Sequence, residues 1–236
     1  MFRYLLLLSF VLVVLPTPAL TFELEGLIEP SEMVEVSSQI PGVIDQVLVE
    51  RGDLVEKGQV VARLKSAVEE AAIALAQARV EFGERKVERN ELLSQKKLIS
   101  SHEKDEIETE LKISRLELRE AEERYALRII KSPVNGVVVD RMLGPAEYVG
   151  ENPILSIARI DPLYIEVVAP VANFGEISEG MKAKVVPEMP VGGEYLATVS
   201  VLDKVIDAAS GTFRVRLVLK NSSMKLPAGL KCRVFF

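Results

Sequence analysis

The pattern of hydrophobic and polar positions divides the chain into three zones. Proline is absent from residues 43–132, and between Gln59 and Asn135 the only glycine is Gly83. Both residues are frequent on either side, where short apolar runs alternate with turn residues. The pattern therefore predicts strand-rich segments on both sides of a long helical insert.

The insert, residues 66–128, has the periodicity of an antiparallel helical hairpin. In its second half, apolar or small residues recur at the 4-3-4-3-4 spacing of a heptad seam, and a similar stripe in the first half is interrupted by Arg79 and Lys86. Ser-x-x-Glu capping boxes at Ser66 and Ser100 predict the two helix starts. At ~1.5 Å per residue, a first helix over 67–97 would be about 45 Å long, so the hairpin should project. We expect two facing seams: Val68, Ala72, Leu75, Phe82 and Leu93 against Ile107, Leu111, Ser114, Leu118, Ala121 and Tyr125.

The segments that flank the insert repeat one another. Gly52-Asp53-Leu54-Val55 before it corresponds to Ala146-Glu147-Tyr148-Val149 after it, and each copy follows an alternating apolar strand. The repeat predicts two β-hairpin halves, residues 34–65 and 129–160, packed face to face as a flattened sandwich. The helical hairpin would leave the sandwich where its first half ends.

The last zone, residues 161–236, contains six glycines and five prolines between short apolar runs. Such even punctuation is typical of small all-β domains. The sequence predicts a small β-barrel here, so the fold class is α+β and multidomain.

The first residues have the features of an export signal. Arg3 supplies a positive charge, Tyr4–Leu15 is apolar except for one serine, and Thr17-Pro18-Ala19 predicts cleavage after Ala19. We expect residues 1–19 to be a signal peptide, residues 20–33 to begin the mature chain, and the product to reach the periplasm. An uncleaved anchor is the alternative. A lipoprotein is not expected, because the single cysteine is Cys232.

Composition and charge remove several functional classes. The formal charge is −6, from 29 Lys+Arg against 35 Asp+Glu, and no basic run stands out, which disfavours nucleic acid. One cysteine and one histidine, His102, cannot form a disulfide, a thiolate cage or an imidazole cluster. We expect no enzyme activity and no catalytic, cofactor-binding or metal-binding residues.

This order of domains resembles a biotinyl/lipoyl-type domain split by a coiled-coil hairpin and followed by a β-barrel, as in the periplasmic adaptor subunits of tripartite efflux pumps. These are membrane fusion proteins of the HlyD type. Arg89-x3-Leu93-x6-Ser100, at the point where the hairpin reverses, is similar to the Arg-Leu-Ser tip motif of adaptors of resistance–nodulation–division and related pumps. The resemblance implies that Arg89, Leu93 and Ser100 dock the outer-membrane channel.

The same resemblance implies a non-enzymatic adaptor between an inner-membrane transporter, of the resistance–nodulation–division class, and an outer-membrane channel of the TolC type. It further implies a homo-oligomeric ring, commonly of six copies. Many such adaptors continue into a membrane-proximal β-domain, whereas this sequence stops at Phe236. We therefore expect transporter contacts from the barrel, from the mature segment before Val34, or from a second adaptor copy.

Two other functions remain open from the sequence. Lys65 ends the first half-motif, near the place where a carrier domain presents its modified lysine, so a swinging-arm carrier for biotin or lipoate is one alternative. An intact mass would reveal the added group. The other alternative is a coiled-coil spacer in another envelope complex, which co-purification of an outer-membrane channel would distinguish from an adaptor.

Overall fold

The computed structural model describes residues 22–96 and 98–236. The predicted signal peptide, residues 1–19, lies outside the described residues. None of the helices within the described ranges is long and apolar enough to cross a membrane. In chain order the elements are β1 (Glu23–Val36), β2 (Gly42–Val47), β3 (Leu54–Val55), β4 (Val60–Leu64), α1 (Ala67–Gln95), α2 (Ser101–Ala126), β5 (Ile129–Lys131), β6 (Gly136–Arg141), β7 (Tyr148–Val149), β8 (Leu155–Pro170), a 3-10 turn (Val171–Asn173), β9 (Lys182–Pro187), β10 (Tyr195–Leu202), β11 (Thr212–Leu219) and β12 (Lys231–Phe235).

The chain forms two compact units. One contains Ile28–Tyr164 and Leu219–Gly229, that is, the split β-sandwich with its helical hairpin. The other contains the described residues up to Leu27, then Ile165–Val218 and Leu230–Phe236. The division differs from the sequence-based boundaries, because the long strands β1 and β8 each contribute residues to both units. The expected N-terminal segment 20–33 is therefore mostly strand.

The sandwich is built by exchange of strands between its two halves. Within the first half β2 pairs with β4, but β2 also pairs with β7, β3 with β6 and β4 with β5, all antiparallel. One sheet thus has the order β5-β4-β2-β7, and the short β3 joins β6 and β8 in the other layer. The expectation of two self-contained β-hairpins packed face to face was wrong in this respect, because repeated halves can satisfy their strand edges by pairing with each other.

Hydrogen bonds confirm that the two halves repeat one another. The Ile44 N–H donates to the Glu147 carbonyl at 2.8 Å, and the Val138 N–H donates to the Asp53 carbonyl at 2.9 Å. At the equivalent turn positions, Gly52 has φ +96° and Ala146 has φ +68°. One turn therefore uses glycine, and the other holds an alanine in the left-handed region that disfavours a Cβ.

The two layers of the sandwich enclose a continuous apolar core. Both halves of the repeat contribute to it, because an apolar sheet face is buried only when another layer covers it. Its fully or almost fully buried members include Ile44, Val55, Val61, Ala62, Leu64, Val138, Val149, Ile154, Leu155 and Ile157.

The helices α1 and α2 pack as an antiparallel pair through a narrow seam. On α2 the predicted stripe is confirmed: Ile107, Leu111 and Ala121 are buried, with Ser114, Leu118 and Tyr125 half-buried between them. On α1 the predicted stripe was wrong by one position. The inward residues are Glu69, Ile73, Ala76, Val80, Gly83, Val87 and Asn90, again at heptad spacing.

The α1 seam contains small residues, which is why it does not coincide with the stripe of the largest apolar side chains of α1. A Cβ at Gly83 would lie 3.1 Å from Leu111 Cδ1, so glycine provides the hole into which this leucine of α2 packs. Val68, Leu75 and Phe82 instead remain 79%, 59% and 55% exposed. The sequence-based prediction looked for large apolar residues, and it therefore chose Val68, Leu75 and Phe82, which lie beside the buried seam.

The second unit is a closed barrel of antiparallel strands. Its order is β1-β12-β9-β10-β11-β8, and β1 also pairs with β8, which closes the ring and leaves no free edge. Alternate residues point inward; those fully buried include Ile165, Val167, Val185, Ala197, Val215, Leu217 and Val234. The predicted β-barrel is confirmed, with the addition of the N-terminal strand β1.

Candidate functional site at the tip of the helical hairpin

The base of the hairpin is held by a half-buried ion pair. The Arg128 guanidinium donates through Nε and Nη2 to Oε1 of Glu69, at 2.9 and 2.6 Å. Burial alone would raise the pKa of Glu69, but the hydrogen bonds and positive charge of Arg128 outweigh it and leave that pKa below its usual value. The pair joins the first turn of α1 to the residue after the C-cap of α2, and so fixes where both helices meet the sandwich.

Glu69 therefore does not complete the predicted capping box with Ser66. The Ser66 backbone has φ −131° and ψ 10°, and its side chain makes no cap hydrogen bond to the helix. Its hydroxyl donates instead to Glu70 Oε1 at 2.7 Å. The prediction of a capping box at Ser66 was wrong, because the carboxylate it requires is bound by Arg128.

Cations along the shaft are paired across the two helices. Arg79 binds Glu117 at 2.8 Å, Lys86 binds Glu110 at 2.6 Å, and Arg115 binds Glu84 at 2.8 Å. Arg79 and Lys86 are the charges that interrupt the predicted α1 stripe, so their positions flank the seam. Pairs this exposed contribute about 0–1 kcal/mol each. They fix the register of the two helices more than they stabilise them.

The tip contains the three residues of the Arg-Leu-Ser pattern. Ser100 is the N-cap of α2, and its hydroxyl accepts a hydrogen bond from the Glu103 N–H at 3.1 Å, so this predicted cap is confirmed. Leu93 lies in the last turn of α1 and is half-buried, whereas Arg89 is exposed one turn earlier. Arg89 and Leu93 thus lie near the end of α1, and Ser100 lies at the start of α2. Because α1 ends at Gln95, the helical phase does not continue from Leu93 to Ser100.

The loop beyond α1 folds back onto the helix end. The Leu98 N–H donates to the Leu93 carbonyl at 3.0 Å, which occupies one of the acceptors that a helix C-terminus leaves unpaired. Leu92 and Leu98 are then 60% and 66% exposed. The sequence analysis did not single out Leu92 or Leu98, although two apolar residues beside a polar turn could have been noticed in the sequence.

A second exposed apolar surface lies on two neighbouring loops of the barrel. Val205 is 82% exposed and Ile206 37%, and the 3-10 turn residue Val171 and the adjoining Phe174 are 46% and 45% exposed. The Val171 N–H donates to the Gly211 carbonyl at 2.9 Å, which ties the two loops together. We call Val171, Phe174, Val205 and Ile206 the barrel-loop patch.

Hydrogen bonds order the loop that carries Val205 and Ile206. Asp207 accepts from the Ala209 N–H at 2.9 Å and from the Ser210 hydroxyl at 2.8 Å. The Ala209 hydrogen bond first, and the Ser210 hydroxyl second, lower the pKa of Asp207. The loop is therefore an ordered turn that holds the apolar side chains of Val205 and Ile206 in water.

Two further residues that the sequence raised as candidates for chemistry are Cys232 and Lys65. Cys232 is buried in β12, and burial together with the nearby Glu188 raises the pKa of its thiol to about 11. Lys65 stands between β4 and the start of α1, with its N–H bound to the Val43 carbonyl at 2.9 Å, and not at the exposed β-turn a carrier lysine needs. Within residues 22–96 and 98–236, no cluster of His, Cys, Asp or Glu is suited to a metal ion.

A β-sandwich interrupted by a helical hairpin and followed by a barrel defines the class: it is the fold of the membrane fusion proteins. Residues 32–158, more than half of the chain, match the CzcB-like, barrel-sandwich hybrid domain family. The chain belongs to this family.

Individual relatives agree with this family. The efflux pump periplasmic linker BepD of Brucella suis biovar 1 is 22% identical over 240 residues, covering 89% of this chain and 60% of BepD. A MacA-MexA chimera with the Pseudomonas aeruginosa MexA α-hairpin superposes with a TM-score of 0.74 at 19% identity, covering 91% of this chain and 78% of the chimera. A putative efflux transporter from Bacteroides eggerthii superposes with a TM-score of 0.71 at 18% identity, covering 91% of this chain and 68% of the transporter chain. The chain spans 55–60% of the length of the curated relatives it matches.

Proposed function

We propose that this protein is a periplasmic adaptor that links an inner-membrane efflux transporter to an outer-membrane channel of the TolC type. One observation supports the proposal: a helical hairpin interrupts the sandwich in the family's domain order, and Arg89, Leu93 and Ser100 lie along the chain near the end of α1 and the start of α2. The transporter is of the resistance–nodulation–division class. Residues 1–19 direct export and are removed, so the mature chain acts in the periplasm.

The hairpin tip is the channel-docking surface. Arg89 is exposed, and within the described part of the chain no carboxylate lies within ion-pair distance of it, in contrast to Arg79 and Arg115 on the shaft. A guanidinium in this state can donate charge-assisted hydrogen bonds to carbonyl or carboxylate oxygens of a partner. Leu93 offers apolar surface beside it. Ser100 caps α2 and, being small, lets a partner approach closely.

The barrel-loop patch is the transporter-docking surface. Its four apolar side chains lie on loops already fixed by hydrogen bonds, so little conformational entropy is lost when a partner covers them. It lies on the barrel, one of the three regions from which the sequence led us to expect transporter contacts. The mature segment before Val34 and a second adaptor copy are the other two.

Copies of the adaptor form a homo-oligomeric ring, of six members, in which hairpins stand side by side. The supporting observation is a groove between α1 and α2 of about 1100 Å³, lined by exposed apolar residues and by the Arg79–Glu117 and Lys86–Glu110 pairs. Those apolar residues include Leu75, Phe82 and Ile113, which are 53–59% exposed. A narrow seam that leaves such residues outside favours packing against a neighbouring hairpin.

Photo-crosslinking in cells of the source organism tests the polarity of this arrangement. A benzophenone side chain is placed at Ser101 on the tip, at Val205 on the barrel and, as a control, at Gln77 on the shaft. We expect an outer-membrane channel from Ser101, an inner-membrane transporter from Val205, and adaptor–adaptor products from Gln77, each identified by mass spectrometry. Transporter products from Ser101 together with none from Val205 would overturn the assignment. N-terminal sequencing of the purified chain tests cleavage after Ala19.

A further inference from the structure

The Arg128 side chain contacts both the hairpin and the sandwich. Its Nε and Nη2 donate to Glu69 in the first turn of α1, and its Nη1 donates to the Pro41 carbonyl at 3.4 Å. Pro41 directly precedes β2 of the sandwich. The ion pair therefore does more than join the two helices to each other, because the third nitrogen of the guanidinium ties both helices to a sandwich strand.

The guanidinium lies against Gly42, the first residue of β2. A Cβ at Gly42 would be 2.7 Å from Arg128 Nη1 and 3.2 Å from Leu64 Cδ1. The φ of Gly42 is not in the left-handed region, unlike that of Gly52, so backbone conformation does not require glycine here. What the missing side chain provides is room for the end of the arginine.

Backbone hydrogen bonds also hold the junction between sandwich and hairpin. The Leu64 N–H donates to the Arg128 carbonyl at 2.8 Å, and the Lys65 N–H donates to the Val43 carbonyl at 2.9 Å. These bonds fix where the chain enters and leaves the hairpin. A few residues at the end of an element can still act as a hinge unless side chains brace them.

The length of the hairpin magnifies any rotation at its base. With 29 residues at ~1.5 Å per residue, α1 is about 44 Å long. A rotation of about 10° at the base would therefore move the far end of α1 by about 8 Å. A side chain that restrains the base by a few degrees thus decides where the hairpin tip lies.

We propose that Arg128 is a latch that sets the direction in which the helical hairpin leaves the sandwich, and that Gly42 is the seat on which its guanidinium rests. Glu69 holds the guanidinium from the α1 side, and the Pro41 carbonyl holds it from the β2 side. The latch consists of residues of this chain alone. It does not depend on which partner the tip meets.

Distance measurements by pulsed electron paramagnetic resonance on the full-length mature chain test the latch. One spin label is attached to a cysteine introduced at Ser101, the first residue of α2. The second is placed at Asp45 or at Asp140, exposed positions on opposite layers of the sandwich. The buried Cys232 is replaced by alanine in every sample. A change in hairpin direction moves the tip label toward one layer and away from the other.

Three variants remove different parts of the latch. Arg128→Ala removes the guanidinium and leaves the backbone hydrogen bond to Leu64 in place. Arg128→Lys keeps a positive charge for Glu69 but lacks the planar fork that also reaches Pro41. Gly42→Ala places a Cβ where Nη1 lies. Because the end of an arginine side chain can move aside, this last variant should displace the latch without unfolding the chain.

Two controls match these changes. Gly144→Ala also adds a Cβ beside an arginine, but at 3.7 Å from Arg141 Nη1, which is ordinary van der Waals contact. Arg79→Ala breaks an ion pair between the same two helices, but on the shaft of the hairpin. Both controls should reproduce the wild-type distance distributions.

We expect both distance distributions of Arg128→Ala to become at least about 1.5 times as broad, since a hinge without its brace samples more directions. Arg128→Lys should broaden them less. Gly42→Ala should shift the two mean distances in opposite senses, with a thermal unfolding midpoint within about 3 °C of the wild type. In the Arg128→Ala background Gly42→Ala should have no further effect, because no guanidinium remains to be displaced.

Wild-type distributions in Arg128→Ala would overturn the latch, because the backbone hydrogen bonds alone would then set the direction. Broadening in proportion to lost thermal stability would assign Arg128 to folding instead. Wild-type behaviour of Arg128→Lys would remove Pro41 from the latch, and an equal effect of Gly42→Ala with and without the guanidinium would remove Gly42. The crosslinks from Ser101 test the proposed function separately, so the two can fail independently.

Discussion

The sandwich and the hairpin belong to one compact unit, yet they are stabilised in different ways. In the sandwich, Ile44, Val61, Ile154, Leu155 and Ile157 have no measurable exposure, and two layers enclose them. In the hairpin the buried positions lie along one seam between the two helices: Ala76, Val80, Gly83, Ile107, Leu111 and Ala121. The sandwich thus encloses its own core, whereas the hairpin leaves large apolar side chains such as Leu75 and Phe82 exposed.

A core substitution in the sandwich is the sharpest way to establish this difference. Ile157 is fully buried between the layers, so Ile157→Ala removes methylene contacts and leaves a cavity. We expect a loss of about 2–5 kcal/mol in the free energy of unfolding, measured by chemical denaturation. Leu54→Ala, at a sandwich position that is 59% exposed, is the control and should cost far less. Equal losses in the two variants would contradict a closed core.

The second prediction concerns which stripe of α1 is buried. Val80 is 9% exposed and lies in the seam, whereas the larger Phe82 is 55% exposed beside it. We expect Val80→Ser to destabilise the hairpin by about 1–3 kcal/mol, since it buries a hydroxyl and loses apolar contact. Phe82→Ser should cost about 0.5 kcal/mol or less in dilute monomer. Hydrogen exchange of the α1 amides measures both. A larger loss of stability in Phe82→Ser than in Val80→Ser would support the α1 stripe predicted from the sequence.

The α1 and α2 seams also show what periodicity could and could not predict. On α2, large apolar residues occupy the seam, so Ile107 and Leu111 were found from spacing alone. On α1 the seam uses Ala76 and Gly83, and the position of Gly83 is explained only by the Leu111 side chain that packs against it. Complementarity between two helices is a property of the pair. The residue pattern of one helix alone therefore does not predict this complementarity.

The third prediction tests the ion pair at the base of the hairpin. Because the pKa of Glu69 is lowered in the folded state, the ionised form stabilises the fold above its usual pKa of about 4.5. That contribution is lost as the pH falls through the lowered folded-state pKa. Glu69→Gln should therefore cost about 1–2 kcal/mol at neutral pH and should flatten the acid limb of the stability curve.

The control for the ion pair lies on the shaft. Glu117 and its partner Arg79 are 43% and 56% exposed, against 17% and 21% for Glu69 and Arg128. Glu117→Gln should cost less than about 1 kcal/mol, because solvent screens the exposed pair. If the two substitutions had the same effect and the same pH dependence, the base of the hairpin would be no more rigid than its shaft.

The fold and the hairpin tip, like the two seams, contain some features that the sequence predicts and others that it does not. The order of sandwich, hairpin and barrel, and the N-cap at Ser100, could be predicted because turns, caps and repeats are local signals. The exchange of strands between the halves and the outward direction of Leu92 and Leu98 could not. These depend on which edges pair and on how the loop returns to the Leu93 carbonyl.

The smallest expected effect compares the starts of the two helices. Ser100 caps α2 through the Glu103 N–H, whereas Ser66 makes no side-chain cap and α1 is held instead by Arg128 and Glu69. Ser100→Ala should therefore cost about 1 kcal/mol, and Ser66→Ala only a few tenths, in hydrogen exchange of the first helical turns. Ser100→Asp keeps a side-chain acceptor at the N-cap and should retain wild-type protection. Since the Asp variant separates capping from docking, loss of channel binding with an intact α2 would assign the Ser100 hydroxyl to the docking surface. Retained binding would limit its role to the cap.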